Sequence, residues 1–241
     1  MCDLGRVVIV LSVVAAASAS AEPPLPPQRP QDLTQRRAGA PSPGPQRQEA
    51  DPAGPSAPSN SDDSRACAEM LARLGVKAEP AGSIQNGACG ARSTVKVAEL
   101  PGGVEVAPAA VVTCPVAAAM ARWATESVTP EAERHLGSAP AKILIGTSYE
   151  CRSQNRRAGA KLSEHAFANA VDVMGFTFRK RVPLAVAPRT DEAPESLFQA
   201  AVRQGACSHF TTVLGPGSDA AHSNHFHLDM RERKRGAKLC Q

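Results

Sequence analysis

The cysteines place the strongest limit on how this chain folds. Seven occur in 241 residues, and all except Cys2 lie between positions 67 and 240, at Cys67, Cys89, Cys114, Cys151, Cys207 and Cys240. An even set of six suggests three disulfides formed in an oxidising compartment. We expect Cys67 to pair with Cys89, because both flank the first predicted helix and its glycine-rich exit. The sequence contains no C-x-x-C pair, which disfavours a thiolate metal site or a thioredoxin-type redox motif.

The N-terminus is typical of a secretory signal. The apolar run "VVIVLSVVAAASASA" follows Arg6 and ends in the small residues Ala19-Ser20-Ala21, which predicts a signal peptide over 1–21 with cleavage before Glu22. A membrane anchor is the alternative, but it needs roughly 20 apolar residues with basic flanks. This run is shorter, so we expect no stable membrane span after cleavage and a periplasmic or secreted protein.

Residues 22–63 are rich in Pro, Gln, Ala, Ser and Gly. They contain two leucines and no aromatic residue, so they cannot bury enough apolar surface to offset the entropy of ordering. We predict a disordered, proline-rich tether over 22–63 and a folded domain over 64–241.

Within that domain, helical spacing and strand-like runs alternate. Helices are predicted in "SRACAEMLARLG" with Ser64 as N-cap, in "CPVAAAMARWATESV", in "TPEAERHLG" with Thr129 as cap, and in "DEAPESLFQAAVRQG", ending at Gly205. Strands are predicted in "AKILIGTSYECR", "NAVDVMGFTF", "FTTVLG" and "HFHLDM". Helices that come early and strands that come mostly late predict an α+β domain, with flanking helices on a mostly antiparallel sheet.

The overall charge gives a weak indication of partners. The net charge is +4, and the chain has one Trp and one Tyr. Aromatic residues are not interleaved with the basic ones, so we expect no nucleic-acid partner. The mild positive charge suits an anionic envelope polymer, although an ordinary solvated surface explains it equally well. The oligomeric state is left open.

Histidines crowd into the stretch "HSNHFHLDM". In a strand, side chains alternate between two faces, so His225, His227 and Asp229 share one face while the apolar residues face the core. His222 lies a few residues earlier, beyond a turn. Three histidines within six residues, in a chain with six in all, favour a metal or catalytic site over a solvated face.

A second segment, "LSEHAFANAVDVMGF", supplies further candidate ligands. His165 precedes a predicted strand on which Asp172 stands among apolar neighbours. A buried carboxylate of this kind needs a cation or a strong hydrogen-bond donor. Two histidines and an aspartate, completed by water, form a common catalytic zinc arrangement. Calcium and magnesium prefer oxygen ligands, so the mixed set favours Zn²⁺.

Several long motifs carry a family resemblance. The segments "TSYECRSQN", "LSEHAFANAVDVMGF" and "ACSHFTTVLGPGSDAAHSNHFHLDM", with the spaced cysteines, resemble the extensin-like C-terminal domain family of bacterial envelope proteins. That family is similar to the zinc D-Ala-D-Ala carboxypeptidases and to the penicillin-insensitive murein endopeptidases. Their pattern S-x-H-x-x-G-x-A-x-D corresponds to Ser163, His165, Ala168, Ala170 and Asp172. The glycine of the pattern is replaced by Ala168.

The second motif of these peptidases, H-x-x-H-x-H, corresponds to His222, His225 and His227 without a gap. The resemblance implies a zinc D-Ala-D-Ala peptidase-like fold with His165, Asp172 and His227 as the zinc ligands. It implies that His225 or His222 acts as general base or electrostatic stabiliser.

Residues around the ligands also have expected roles, which the resemblance implies for Arg152 and sequence position suggests for the others. Arg152 in "SYECR" is expected to face the substrate, where it holds a peptide carboxylate or stabilises an oxyanion. Ser163 is placed to cap the turn that carries His165. Asp229 is expected either to orient a histidine through its ring N–H or to be a surface carboxylate. Glu164 is either a neighbour of the site or a solvated charge.

The resulting hypothesis is an exported zinc-dependent hydrolase of peptidoglycan peptides, of carboxypeptidase or endopeptidase type. One alternative is an envelope module without catalysis that binds muropeptide or another wall polymer. Another is a zinc-binding structural protein. The three adjacent histidines favour the hydrolase, because a binding module needs no base beside its ligands.

Overall fold

A computed structural model describes residues 60–241. The predicted signal peptide, 1–21, and the predicted tether up to residue 59 lie outside the described residues. Within the described part, no helix has both the length and the apolar content needed to cross a membrane.

Four α-helices and nine β-strands succeed one another along the described residues. In chain order they are α1 (Asn60–Arg73), β1 (Lys77–Asn86), β2 (Cys89–Leu100), β3 (Val104–Val112), α2 (Cys114–Trp123), α3 (Thr129–Leu136), β4 (Pro140–Thr147), β5 (Ala170–Phe178), β6 (Leu184–Ala185), α4 (Pro194–His209), β7 (Thr212–Leu214), β8 (Phe226–Asp229) and β9 (Leu239–Cys240). Two short 3-10 turns each carry a histidine, Glu164–Phe167 before β5 and Ala220–His222 before β8.

The nine strands form one sheet in the order β1-β2-β3-β4-β5-β8-β7-β9, with β6 beside β5. Neighbouring strands are antiparallel except for β3 with β4 and β7 with β9, which are parallel. The predicted α+β class with a mostly antiparallel sheet is therefore confirmed. Strand β5 lies inside the sheet, between β4 on one side and β8 with β6 on the other.

The expectation that strands come mostly late was wrong, because β1, β2 and β3 all precede α2. Strand β1 forms an edge of the sheet and is exposed along most of its length, so it lacks the apolar alternation that indicates a strand. Register shifts interrupt the pairing of β1 with β2 and of β2 with β3. Such bulges break the period of two that sequence patterns depend on.

Two predicted helix starts were also wrong. Ser64 lies inside α1, which begins at Asn60. Thr129 is the first residue of α3, but Val128 before it already has helical backbone angles, φ −61° and ψ −49°. The reason is a π-helical turn at Ala124–Val128, which joins α2 to α3. Thr129 therefore continues a helical stretch and does not cap a new one.

Helix α4 does not end at Gly205 as predicted, but continues to His209. A Cβ atom at Gly205 would lie 2.2 Å from the Ser127 Oγ atom. The glycine therefore serves the close approach of α4 to the π-helical turn, and it does not terminate the helix.

Aromatic side chains join the helices to one face of the sheet. Phe176 of β5 packs against Trp123 of α2 and against Phe198 of α4, with ring centroids 6.0 Å and 5.2 Å apart. The Trp123 indole donates a hydrogen bond to the Val202 carbonyl at 2.8 Å, so its polar atom is satisfied within the core.

The central strands carry polar side chains on the face away from these helices. Their core-facing residues are Val171, Val173, Phe226 and Leu228. Because successive side chains alternate across a strand, Asp172, His227 and Asp229 lie on the opposite face. The alternation predicted for "HFHLDM" is thus the one that the strand adopts.

Three disulfides link the six cysteines, as predicted, but the expected Cys67–Cys89 pair was wrong. The bonds join Cys67 to Cys114, Cys89 to Cys151, and Cys207 to Cys240. Cys67 on α1 meets the first residue of α2, because these helices pack together. Cys89 stands at the turn between β1 and β2, and bonds to the loop that follows β4.

Candidate metal centre

Strand pairing brings Asp172 and His227 together. Asp172 of β5 lies directly opposite His227 of β8 in the antiparallel register, so both side chains project from the same face of adjacent strands. Asp172 is 6 % exposed and His227 is 9 % exposed. Each strand thus contributes one nearly buried polar group to the same point.

His165 reaches this point from the 3-10 turn before β5. Ser163 has the extended backbone of an N-cap, but its side chain makes no capping hydrogen bond in the described part of the chain, so the predicted side-chain cap was wrong. The turn closes at Ala168, whose φ of 51° lies in the left-handed region. This conformation favours glycine, so Ala168 holds a backbone angle that a side chain rarely adopts.

Three ligand-type atoms converge. The His165 Nε2 and His227 Nδ1 atoms each lie 3.0 Å from Asp172 Oδ1, and they lie 3.2 Å from one another. Among the residues that the structure describes, His165, Asp172 and His227 form the cluster able to hold a metal ion. These are the three residues that the resemblance assigned to zinc.

The outer nitrogen of each ring fixes which nitrogen faces inward. His165 Nδ1 donates to the Ser148 carbonyl at 2.6 Å, and His227 Nε2 donates to Asp229 Oδ2 at 3.1 Å. With only its outer nitrogen protonated, as metal binding would require, each ring would present a lone pair, from His165 Nε2 and His227 Nδ1, to a cation held beside Asp172. Such outer partners are typical of metal-bound histidines.

Three electron-rich atoms at this spacing require a positive charge between them. Burial alone would raise the pKa of Asp172, but hydrogen bonds from His165 and His227 outweigh it and hold that pKa far below its usual range. Burial would lower the pKa of His227, but hydrogen bonds to Asp172 and Asp229 raise it to about 9. A proton on His227 supplies the positive charge when no metal is bound.

The donor set fits zinc. Two imidazole nitrogens and one carboxylate oxygen match the three protein ligands of catalytic zinc sites. Ligands about 2.0–2.2 Å from a tetrahedral zinc lie a little over 3 Å from one another, close to the spacing found among His165, Asp172 and His227. Calcium and magnesium would prefer more oxygens than this cluster offers.

His225 and His222 stand beside the cluster. His225 Nε2 lies 3.6 Å from Asp172 Oδ1, and the His222 ring centroid is 5.3 Å from that of His225. Burial lowers the pKa of His225, an effect that Asp172 opposes and the neighbouring histidines reinforce. His225 is therefore neutral near pH 7 and can accept a proton.

Arg152 faces the same point from the loop after β4. Its Nη2 atom lies 3.9 Å from Asp172 Oδ2, and its Nε atom donates to Glu150 Oε2 at 2.9 Å. Arg152 and the histidines of the H-x-x-H-x-H motif line one cavity of about 490 Å³. Five of the six residues singled out in the sequence thus line this cavity, and the sixth, His165, lies buried behind it against Asp172 and His227.

The structure decides between the alternative roles of two neighbours of the site and adds a third neighbour that was not predicted. Asp229 is 3 % exposed and orients His227, so it is no surface carboxylate. Glu164 accepts a hydrogen bond from Asn169 at 2.7 Å and lies at the cavity wall without bonding the cluster. Asp219, which accepts a hydrogen bond from His222 Nδ1 at 2.8 Å and caps the turn Ala220–His222 through backbone N–H groups, was missed, although Asp is a common N-cap residue.

Similarity to a known family extends across the described part of the chain. The chain matches the family model described as "Extensin-like protein C-terminus" over residues 65–241. No curated protein and no solved structure matches the chain. The matched range includes the whole histidine–aspartate cluster and all six bonded cysteines. The chain therefore belongs to the extensin-like protein C-terminus family.

Proposed function

We propose that this protein is a zinc-dependent hydrolase of peptide bonds in peptidoglycan. The observation that carries the proposal is the convergence of His165 Nε2, His227 Nδ1 and Asp172 Oδ1 within 3.0–3.2 Å. Both rings are locked by outer acceptors, so the cluster is built to hold a cation. A base and an arginine stand next to it in an accessible cavity, and a purely structural metal site would need neither.

The chemistry divides among the protein's own residues. A bound zinc ion would lower the pKa of a coordinated water and polarise the scissile carbonyl. His225, a neutral imidazole beside Asp172, takes the water proton and passes it to the leaving amine. Arg152 stabilises negative charge on the carbonyl oxygen of the peptide. His222, whose Nδ1 atom lies 2.8 Å from Asp219 Oδ1, lines the cavity beside His225.

The proposed substrate follows from the peptidase resemblance and from the cavity. The motifs around His165 and His222 are similar to those of enzymes that cut wall peptides at D-alanine. Arginines line the cavity, which suits the carboxylates of peptidoglycan peptides. Three disulfides suit an oxidising compartment outside the cytosol, and we propose a periplasmic or secreted location.

Metal analysis coupled to muropeptide digestion tests the proposal. Purified protein should contain about one zinc per chain, as expected for a site with three protein ligands, and should shorten or separate the peptides of purified muropeptides. Chelation should abolish cleavage, and added zinc should restore it. Stoichiometric zinc without any cleavage would contradict the hydrolase and leave a wall-binding or structural zinc protein. Absence of zinc would contradict the metal centre itself.

A further inference from the structure

The arginines of the cavity differ in how their charges are neutralised. Four of them line it: Arg152, Arg156, Arg231 and Arg233. Glu150 pairs with the first two at 2.9 Å and 2.6 Å, and Glu164 lies 3.8 Å from the third. In the part of the chain that the structure describes, no carboxylate oxygen lies within 4.0 Å of Arg233. Arg233 is thus the cavity arginine without an acidic partner.

Neutral groups hold the Arg233 guanidinium in place. Its Nη1 atom donates to the Thr211 carbonyl at 3.0 Å, and its Nη2 atom donates to Thr212 Oγ1 at 2.6 Å. A guanidinium has further N–H groups in the same plane. The side chain is therefore oriented, half-buried and still able to donate two parallel hydrogen bonds to an incoming anion.

The backbone around Arg233 is anchored at both ends. The preceding strand, β8, is paired inside the sheet, and the following strand, β9, pairs with β7 and is tied to α4 by the Cys207–Cys240 disulfide. Leu239 N also donates to the Thr211 carbonyl at 2.9 Å. The arginine is thus held against the strands that form one wall of the cavity.

Sheet order places this wall across the metal cluster from Arg152. The order β4-β5-β8-β7-β9 puts the loop that carries Arg152 after β4, on one side of Asp172 and His227. The guanidinium of Arg233 lies over β7, on the other side. A peptide crossing the metal cluster would therefore meet one arginine at each side.

We propose that Arg233 binds a carboxylate group of the peptide substrate, while Arg152 acts at the reacting carbonyl. A partly buried guanidinium without a counter-charge favours a carboxylate, which accepts two parallel hydrogen bonds in the geometry that arginine offers. This inference rests on the proposed function, which supplies the peptide. The carboxylate comes from either the peptide C-terminus or an acidic side chain.

Three synthetic probes separate these sources. Acetyl-D-Ala-D-Ala carries a terminal carboxylate, its carboxamide carries none, and the carboxamide of acetyl-D-Glu-D-Ala carries one on a side chain. Each is titrated into the zinc-loaded full chain and followed by NMR, and chromatography of the same samples reports cleavage separately. Binding without cleavage would support the carboxylate site and contradict the proposed hydrolase, so the two proposals fail independently.

Three variants complete the experiment. Arg233→Met should weaken binding of whichever carboxylate-bearing probe the wild-type protein prefers. The loss should be at least about tenfold, the size expected for a lost charge-assisted hydrogen bond. Binding of the carboxamide of acetyl-D-Ala-D-Ala should be unaffected. Arg233→Lys keeps the charge but not the planar fork, and should fall between. Lys234→Met removes an exposed neighbouring charge and should change nothing.

Several results would overturn the inference. One is that the wild-type protein binds acetyl-D-Ala-D-Ala and its carboxamide with equal affinity and binds the carboxamide of acetyl-D-Glu-D-Ala no more tightly than either. Another is unchanged affinity of a folded Arg233→Met protein, or an equal loss in Lys234→Met, which would indicate general electrostatic attraction. If Arg233→Met does not fold, Arg233→Lys decides, and affinity equal to that of the wild type would contradict a site built on the guanidinium fork.

Discussion

His165 and His227 hold their ligand nitrogens in place by different means. His165 depends on a backbone carbonyl, that of Ser148, whereas His227 depends on the buried carboxylate of Asp229. The first acceptor cannot be removed by substitution, but the second can. Single substitutions can therefore remove the group that orients His227, but not the one that orients His165.

Replacing individual histidines should separate metal binding from catalysis. His227→Ala removes a ligand atom and should abolish zinc retention, measured by elemental analysis after gel filtration. His225→Ala should retain zinc but lower turnover about 10²- to 10⁴-fold, as expected for loss of a general base. His135→Ala, on α3 and outside the cavity, should change neither quantity. Loss of zinc in His225→Ala would contradict these assignments.

The zinc-free protein should lose stability as the pH rises. Hydrogen bonds to Asp172 and Asp229 outweigh burial and raise the pKa of His227 from 6.5 to about 9. A group with a raised folded-state pKa stabilises fully below its unfolded value and loses this contribution as the pH passes the folded value. The melting temperature of zinc-free protein should therefore fall between pH 6.5 and about 9.

His227→Gln supplies the control for this titration, because it should remove the His227 component of the pH dependence. Zinc competes with the proton for His227, so zinc affinity should rise over the same pH interval. A zinc-free wild-type protein with the same pH profile as His227→Gln would show that the His227 proton does not stabilise the fold.

At the scale of elements, the loop between β4 and β5 carries two of the six site residues. It contains Arg152 and His165 and includes a single isolated bridge, between Ser153 and Leu162, within the described chain. Hydrogen bonds hold its two ends to β3 and to the end of β8, and the Cys89–Cys151 disulfide ties it covalently to the β1–β2 hairpin next to Arg152. The β1–β2 hairpin, although far along the sheet from β8, therefore helps to position a residue of the cavity.

Replacing Cys89 and Cys151 together by serine should loosen this loop. We expect a loss of about 2–4 kcal/mol in the free energy of unfolding, faster amide hydrogen exchange over residues 148–163, and a higher KM with zinc retained. The matched double replacement at Cys67 and Cys114 should cost similar stability without faster exchange in that loop. Equal exchange in both variants would mean that the disulfide does not position Arg152.

Sequence patterns predicted strands whose two faces differ in polarity. They did not predict the turn that places His165, the disulfide partners or the role of Arg233. Strand β8 could be predicted because His227 and Asp229 alternate with core residues, and the same alternation marks Asp172 on β5. The convergence of His165 with them depends on a 3-10 turn and a left-handed Ala168, which no periodicity encodes, so the family resemblance was needed to assign it. Disulfide partners depended on which elements meet in the fold, and the spacing of the cysteines along the chain does not reveal this. Arg233 was missed because a basic tail looks the same whether solvated or packed.

At the scale of the whole molecule, the sheet separates stability from chemistry. Helices and aromatic residues cover one face, and the metal cluster with its cavity occupies the other. A change in the helical layer should therefore alter folding stability without altering metal binding. Gly205, which lets α4 approach the π-helical turn, offers a direct test.

Gly205→Ala would place a methyl group 2.2 Å from Ser127 Oγ. Relieving that overlap requires α4 to shift, and overpacking of this kind typically costs about 1–3 kcal/mol. Calorimetry should show the lower melting temperature, while zinc content per chain stays unchanged. Gln204→Ala, at an exposed neighbouring position of α4, should melt like the wild-type protein. Loss of zinc in a folded Gly205→Ala protein would show that the two faces are coupled.

The two disulfides beside the cavity have a consequence for how a ligand binds. Cys89–Cys151 holds the wall that carries Arg152, and Cys207–Cys240 holds the wall that carries Arg233. Both walls are thus fixed during folding, so a ligand does not have to order either of them when it enters. The conformational entropy that binding normally loses in loops is lost before the encounter. Affinity should then depend mainly on shape and charge, and a poorly matched ligand should be rejected without any rearrangement of the protein.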